Sequence, residues 1–583
     1  MFTNYLFSIS RYAVLFLSVI LLIRNLRSLL SGKTEPETWA YLRVGEENVP
    51  IRHWESLIGR ARSADLRLFG EGISPIHAVL KRTDKGRWFL YDVFSRGGIW
   101  VNGTPVPVTG TNLQHGDTVN LGGSCVRFLN LSTEQRQRNE QKRTGADVRV
   151  NPAVSLAELT LLQLFLLLQH SFSARQADMT SIILAFATLI VLEWCVYEAM
   201  RLLNRTGFEL EILAFYLTTL GLSVAASAVP EDLYKQILLI VASVLLFLFS
   251  GWWMSNLKRT NAMRIPVGIL ALALLVLNIA TSDRINGAKS WLEFGGYSFQ
   301  PSELVKVFYI YVGAATLDAL YMKRNLYSFI LYSAVCVSAL ALIGDFGTAL
   351  IFFITFLVIS FMRSGSLATV LLAVTGAVLA GLLAVTVRPY IARRFDIWGH
   401  VWDDVYGAGY QQTRSISATA SGGLIGKGAG SGWLRGIAAS DTDMVFAYIC
   451  EEQGLIIGLC MIFAVILMAL FAVKCAKNGR TAYFSIAACA ASALMLVQLA
   501  LNVFGTLDLL PFTGVTFPFV SRGGSSLLSC WMLLTFLKAA DNRREASFAV
   551  DPVKRIMTWE EEHGVEVVSW GETQPPERRK PRL

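Results

Sequence analysis

About thirteen stretches of the chain are apolar over lengths near those that cross a hydrocarbon core, and one long stretch follows a different rule. The first apolar run, Tyr5 to Ile23, has Arg11 as its internal basic residue and is followed by Arg24, Arg27 and Lys33, so residues 1–30 read as a transmembrane anchor. A signal peptide would carry its charges first. From Trp39 to Asn130 the hydropathy drops and short alternating runs such as Trp88-Phe89-Leu90-Tyr91-Asp92-Val93 sit between glycine turns, which predicts a soluble all-β domain over 39–130. Residues 131–153 are charged, glutamine-rich and aperiodic, as a linker is. Twelve further apolar segments follow, at roughly 154–170, 179–200, 211–228, 236–254, 265–280, 303–321, 327–343, 346–362, 367–387, 453–473, 481–504 and 525–540. Residues 545–583, with Pro575, Pro576 and the run Glu577-Arg578-Arg579-Lys580, read as a flexible tail.

Composition turns this pattern into a class. Lys and Arg number 52 against 43 Asp and Glu, a net +9, yet only 16% of residues are charged while 53% are hydrophobic. That excludes a soluble enzyme, a secreted disulfide scaffold and a disordered tail protein, and leaves a polytopic α-helical membrane protein. None of the eight cysteines forms a CxxC pair and the histidines lack ligand spacing. Basic residues stay cytoplasmic, so the anchor's trailing charges put its N-terminus outside and the β domain inside. Odd parity then puts the C-terminal tail inside. The inside loops come out basic, with Arg201 and Arg205, Lys258 and Arg259, Lys323 and Arg324, Arg363, Lys474, Lys477 and Arg480, and Arg543 and Arg544. The longest outside loop, Arg388 to Glu452, breaks the rule with Arg388, Arg393, Arg394, Arg414 and Lys427.

In the β region, Gly59-Arg60, Ser74-Pro75-Ile76-His77 and Val101-Asn102-Gly103 have spacings that resemble the forkhead-associated (FHA) domain, a β-sandwich that binds phosphothreonine peptides through its end loops. The resemblance implies Arg60, Ser74 and Asn102 as phosphopeptide contacts, with a guanidinium and a hydroxyl converging on the phosphate, and His77 as a packed residue. One departure stands out: Gly97 occupies the place where the family usually has an Asn that holds the peptide. Docking without phosphate recognition is the alternative.

Four polar stretches in separate outside-facing loops lie at one depth. They are Asn286-Gly287-Ala288-Lys289-Ser290-Trp291 leading to Gln300-Pro301-Ser302-Glu303-Leu304-Val305-Lys306, Gly344-Asp345-Phe346-Gly347-Thr348, the long loop, and Pro518-Phe519-Val520-Ser521-Arg522-Gly523-Gly524-Ser525-Ser526. The long loop carries Ser421-Gly422-Gly423-Leu424-Ile425-Gly426-Lys427-Gly428, Asp441-Thr442-Asp443 and Glu451-Glu452-Gln453-Gly454. Together these closely resemble the SEDS family (shape, elongation, division and sporulation), the RodA, FtsW and SpoVE proteins that polymerise lipid II into peptidoglycan strands. The resemblance spans about 211–544 and implies about ten core helices, so that the anchor and the two helices of 154–200 are additional. It implies Asp443 as catalytic carboxylate, Trp291 at the border of the active cavity, a divalent ion such as magnesium or manganese, and a class B penicillin-binding protein as partner in the membrane. Where the family usually has His-Thr-Asp, this chain has Asp441.

The chemistry asks for these residue types. A sugar hydroxyl attacking an anomeric carbon must lose a proton, which a carboxylate can take, and a departing lipid pyrophosphate needs cations. Substrate contacts are expected from Trp291, Lys289, Arg388, Arg393, Arg394, Lys427 and Ser521, with lipid headgroup binding as the alternative role for the cations. Glu303 and Lys306, three apart at a helix start opened by Pro301, share a face and can neutralise each other, and Asp345 is expected to cap a helix. The Ser-Gly-Gly run lacks the spacing of a nucleotide-binding P-loop, and neither nucleotide nor nucleic acid is expected. Against the glycosyltransferase stand a transporter of lipid-linked precursors and an idle scaffold that recruits wall enzymes, the latter opposed by the intact Asp443 segment.

Overall fold

The computed structural model describes the chain except residues 1, 31–37, 62–63, 84–85, 94, 133, 136–150, 206, 283–289, 295–296, 317–322, 365–366, 388, 478, 480, 542, 544–545 and 550–583. Among the candidate residues Lys289 and Arg388 lie outside the described residues, as do most of the linker and of the tail.

The chain opens with α1 (Phe2–Leu30) and passes into eleven strands: β1 (Ala40–Val44), β2 (Glu47–Ile51), β3 (Glu55–Gly59), β4 (Leu66–Arg67), β5 (Ala78–Arg82), β6 (Trp88–Asp92), β7 (Ile99–Val101), β8 (Thr104–Pro105), β9 (Thr111–Leu113), β10 (Thr118–Leu121) and β11 (Ser124–Asn130). They make two sheets, ordered β2-β1-β11-β10-β7-β8 and β4-β3-β5-β6-β9. Inward-facing Leu42, Leu80, Trp88, Leu90, Val126 and Phe128 fill the space between them, the alternation expected of strands with one buried face. Its strands run from Ala40 to Asn130.

The helical part follows as α2 (Pro152–Ser173), α3 (Met179–Leu202), α4 (Glu209–Ala228), α5 (Leu233–Met254), α6 (Leu257–Ala262), α7 (Arg264–Thr281), a hairpin of β12 (Leu292–Phe294) and β13 (Tyr297–Phe299), α8 (Pro301–Gly313), α9 (Lys323–Ile343), α10 (Phe346–Ser364), α11 (Leu367–Val387), α12 (Pro389–Ile397), α13 (Tyr410–Gly422), α14 (Val445–Gln453), α15 (Leu455–Lys477), α16 (Ala482–Thr506) and α17 (Gly524–Ala540). Each predicted apolar segment overlaps a helix among the described residues, and ten of these helices are long and apolar enough to cross a membrane. α8 is shorter than expected, because its backbone turns extended at Ala314. α4 is buried nearly all round, which marks it as the central helix of the bundle. Its Glu211 pairs with Lys538 of α17 at 2.8 Å, both side chains out of contact with solvent.

The tail corrects an expectation. Flexibility was predicted from residue 545, yet Ala546, Ser547 and Phe548 are buried. Phe548 packs against Phe247 of α5 with ring centroids 5.1 Å apart, Ser547 donates to the Ala539 carbonyl at 3.2 Å, and Ala546 packs on Gly207. The apolar pair flanking one serine is too short to register as a segment, but it plugs a groove between α5 and α17.

The β-sandwich rests on one end of α16. Glu55 of β3, itself buried, accepts from the Ala482 amide at 3.0 Å and so caps that helix together with Thr481. Twenty residues along α16, Asn502 donates to the carbonyls of Asp443 and Val515, at 2.9 and 2.8 Å. One helix therefore runs from the sandwich to the loop that carries the candidate carboxylate.

Candidate active site

Asp443 ends a tight turn in which its own amide bonds to the Ala439 carbonyl at 2.9 Å, with Ala439 held at positive φ. Its carbonyl is fixed by Asn502. The carboxylate faces Gly514, which sits at φ +67°, a conformation that disfavours a side chain, and a β-carbon there would lie 3.1 Å from the nearer carboxylate oxygen. Burial pushes the Asp443 acid up to about 7; its Thr442 neighbour bonds to it and lowers it, Asp441 raises it, and Arg394 lowers it from Coulombic range. An acid with that value is half ionised near neutrality, the condition a general base needs.

The candidate residues separate into those that meet at this carboxylate and those that serve elsewhere. Arg394 is brought to it, donating to the Phe512 carbonyl at 3.1 Å on the loop that also carries Gly514. Arg393, its neighbour on α12, is exposed. Ser521 is not free to touch a substrate: it is buried, its hydroxyl donates to the Thr442 carbonyl at 2.6 Å and accepts from the Phe517 amide at 2.8 Å. It is a tie between two loops. Arg522, next in sequence, forms an ion pair with Asp441 and also bonds its amide to the Asp441 carbonyl at 2.9 Å. Asp441 is thus an ion-paired anchor beside Asp443. The sequence signal for Arg522 is the unusual Asp441, a buried anion that requires a cation.

Lys427 belongs to another part of the loop, where it pairs with buried Glu451 at 2.6 Å, and Glu451 also accepts from the amides of Trp433 and Leu434. Trp291 leads into the β12–β13 hairpin and is half-buried. The hairpin exits at Gln300, whose side chain donates to Asp345 at 3.1 Å and whose amide donates to Ser525 at 3.3 Å, so three of the four polar stretches meet here. Asp345 caps α10 through the Thr348 amide at 3.0 Å, and burial raises its acid. Glu303 and Lys306 close on each other at 2.7 Å, both buried, with Ser529 donating to Glu303 at 2.9 Å. The pair closes within α8, and Ser529 ties it to α17.

Among the described residues no three carboxylate, imidazole or thiolate groups converge to hold a metal. Asp441 is taken by Arg522. The side chains around Asp443 therefore do not fit a divalent ion held by the protein alone.

At the rim of the sandwich, the Arg60 amide bonds to the Ser74 carbonyl at 3.1 Å and leaves the Arg60 side chain in solvent beside Ser74. The Ser74 hydroxyl accepts from the Arg96 amide at 3.0 Å, which brings a second exposed cation to the same place. His77 is fully buried and bridges the rim loops, accepting from the Ser74 amide at 3.0 Å and meeting the Gly98 carbonyl at 3.2 Å. Asn102 does not join them. It lies past the other end of β7, at φ +50°, with its amide donating to Asp117 at 2.8 Å and accepting from Thr118 at 2.9 Å. Gly97 leaves no hole where the missing Asn would be, because the backbones of Gly72 and Gly122 occupy it.

Residues 227–546 match the FtsW/RodA/SpoVE family, described as cell cycle protein, and residues 56–122 match the FHA domain. The chain is 31% identical over 376 residues to the probable peptidoglycan glycosyltransferase FtsW of Tolumonas auensis, covering 61% of this chain and 96% of that one. It is 28% identical over 288 residues to the peptidoglycan glycosyltransferase RodA of Mycobacterium leprae, covering 46% of this chain and 61% of the relative. The chain thus spans somewhat under two thirds of its mycobacterial relatives. The crystal structure of the Thermus thermophilus rod shape determining protein RodA aligns over 58% of this chain and 97% of that one, at 22% identity and a TM-score of 0.44.

Proposed function

Since the chain belongs to the FtsW/RodA/SpoVE family and carries an FHA domain, we propose that it is a peptidoglycan glycosyltransferase that polymerises lipid II at the outer face of the bacterial cytoplasmic membrane. The observation that carries this reading is the Asp443 carboxylate, raised to about 7 by burial and held by its backbone from α16. In the reaction a sugar hydroxyl of the acceptor attacks the anomeric carbon of the donor. Asp443 takes the hydroxyl proton as the new glycosidic bond forms, and the bond to the lipid pyrophosphate breaks, its electron pair leaving with the phosphate oxygen. Arg394, with Arg393 beside it, supplies positive charge where that leaving group develops its own. Direct displacement inverts the anomeric carbon, so an α-linked donor gives a β-linked strand. No step is routed through a divalent ion.

The sidedness follows from the basic loops: the FHA domain and the C-terminal tail are cytoplasmic, and Trp291 and the Asp443 loop face outside. The FHA rim, with Arg60, Arg96 and Ser74 together, suits a threonine-phosphorylated protein. A class B penicillin-binding protein is the proposed membrane partner, because strands must be cross-linked and no described element of this fold supplies a transpeptidase. Purified full-length protein given lipid II tests the central reading: a β-linked polymer is expected, and the absence of polymer from well-folded protein would overturn it.

A further inference from the structure

Helices α1 and α2 lie wholly outside the family match, which begins at residue 227, yet they close over the loop that leads to Asp443. Residues 426–430 form a strap in which Gly426, Gly428 and Gly430 all adopt left-handed backbone, at φ +83°, +102° and +74°. On its inner side the strap is bonded to the end of α14, with the Lys427 amide to the Glu451 carbonyl at 2.9 Å and the Gly428 amide to the Glu452 carbonyl at 2.7 Å. On its outer side it meets the additional helices. The Arg11 guanidinium of α1 donates to the Gly426 carbonyl, and the Phe7 ring occupies the space a side chain at Gly428 would need. From α2, Ser173 donates to the Ala429 carbonyl at 2.6 Å and Gln169 accepts from the Ala429 amide at 2.9 Å, which leaves Ala429 without solvent contact.

A strap with alternating left-handed glycines has little intrinsic preference for one shape, and on its outer side its backbone groups are satisfied by two helices that lie outside the family match. We propose that α1 and α2 are a clamp that holds this strap, and through it the segment running on to Asp443, in the geometry used for catalysis; Arg11, Gln169 and Ser173 are positioning residues. The inference that the clamp sets turnover rests on the glycosyltransferase reading. The clamp itself does not. Arg11 is also the one basic residue inside the first apolar run, and a charge at that depth needs a partner; the strap carbonyl is that partner.

The test uses purified full-length protein with exposed Cys125 and Cys195 replaced by serine. Ala429→Cys places a thiol under the clamp, and its rate of modification by a maleimide reports opening. Arg11→Ala should speed that labelling about tenfold or more, the factor that loss of one charge-assisted hydrogen bond gives, and separately Gln169→Ala with Ser173→Ala should do so by a similar factor, through loss of two neutral ones. Without the Ala429→Cys probe, the same variants should lower kcat for polymer formation by a comparable factor while KM for lipid II stays within about twofold, and Arg11→Lys should recover most of the loss. Melting temperatures are measured for each variant, and the milder Ser173→Ala alone serves if Arg11→Ala does not fold. Labelling that stays slow in the folded variants overturns the clamp. Fast labelling with unchanged kcat overturns its role in turnover. Wild-type protein that makes no polymer overturns the glycosyltransferase reading and leaves the labelling result to decide the clamp.

Discussion

Asp443 and Arg60 are charged groups in the two parts of the molecule that α16, a helix of 25 residues, joins, the Asp443 loop at one end and the sandwich at the other, and the two parts prepare their charge in opposite ways. At 1.5 Å per residue that helix is about 37 Å long. Asp443 is half-buried, its backbone fixed by Asn502, and burial lifts its acid to about 7. Arg60 keeps its guanidinium in water and is fixed only through its backbone, by the Ser74 carbonyl. A group that must exchange a proton gains from a desolvated setting that brings its pKa to the working pH. A group that must capture a dianion from solution gains from staying charged and accessible. Glycines let backbones approach at both ends, Gly514 against Asp443 and Gly59 against Pro75.

The largest effect expected from breaking this contrast is at Asp443. Asp443→Asn keeps the size and cannot accept the proton, so polymerisation by purified protein should fall about 100-fold to 10,000-fold. Wild-type turnover should rise with pH through about 7 as Asp443 ionises. Stability runs the other way. The folded state holds this proton more tightly than the unfolded chain, so ionisation between about pH 4 and 7 costs stability that is fully lost above 7. Asp443→Asn should therefore melt higher than wild type at pH 8, with the gap closing as the pH falls. A folded Asn variant with near-normal polymerisation would overturn the assignment.

Asp441→Asn is the next step down. It removes an ion pair to Arg522, so a lower melting temperature is expected, with a loss in turnover far smaller than at Asp443. Its diagnostic is the pH profile. The negative charge of Asp441 raises the Asp443 acid, so removing it should move the acid limb of the profile to lower pH. A limb that stays in place would mean that Asp441 and Asp443 are not electrostatically linked.

How far the sequence revealed these two ends differs for a physical reason. Membrane segments are set by continuous apolarity, and the sandwich by alternation, so both were legible. The helix cap at Asp345 and the pair of Glu303 with Lys306 were legible because their spacing is local. What was not legible depends on contacts distant in sequence: Ser521 spent on Thr442, Arg522 on Asp441, and Phe548 folded back onto Phe247. Asn102 misled for the opposite reason, since a Val-Asn-Gly turn is chemically plausible as a contact until topology puts it past the far end of β7.

At the recognition end, Arg60→Ala should weaken binding of phosphothreonine peptides to the full-length protein by about 10-fold to 100-fold, the range given by a hydrogen bond to a charged group. Polymerisation by the same sample should be unchanged. Asn102→Ala should leave peptide affinity within about twofold, because its amide is committed to Asp117 and Thr118. Equal affinity for phosphorylated and unphosphorylated peptides in the wild type would make the domain a docking module.

The smallest effect on affinity is expected where family resemblance would suggest the largest. Restoring the usual amide with Gly97→Asn ought to recover a peptide contact if Gly97 had simply left a gap. It has not, since a β-carbon there would sit 2.6 Å from the Gly122 Cα and closer still to the Gly72 carbonyl. Those neighbours are backbone and cannot rotate aside as a side chain would. The substitution should therefore cost about 1–3 kcal/mol in stability, as overpacking does, and give no gain in phosphopeptide affinity by titration of the full-length protein. A gain of tenfold or more with an unchanged melting curve would show that the Gly72 and Gly122 loops open to admit the side chain. The rim would then be a surface that reshapes around its ligand, unlike the fixed carboxylate at the other end of α16.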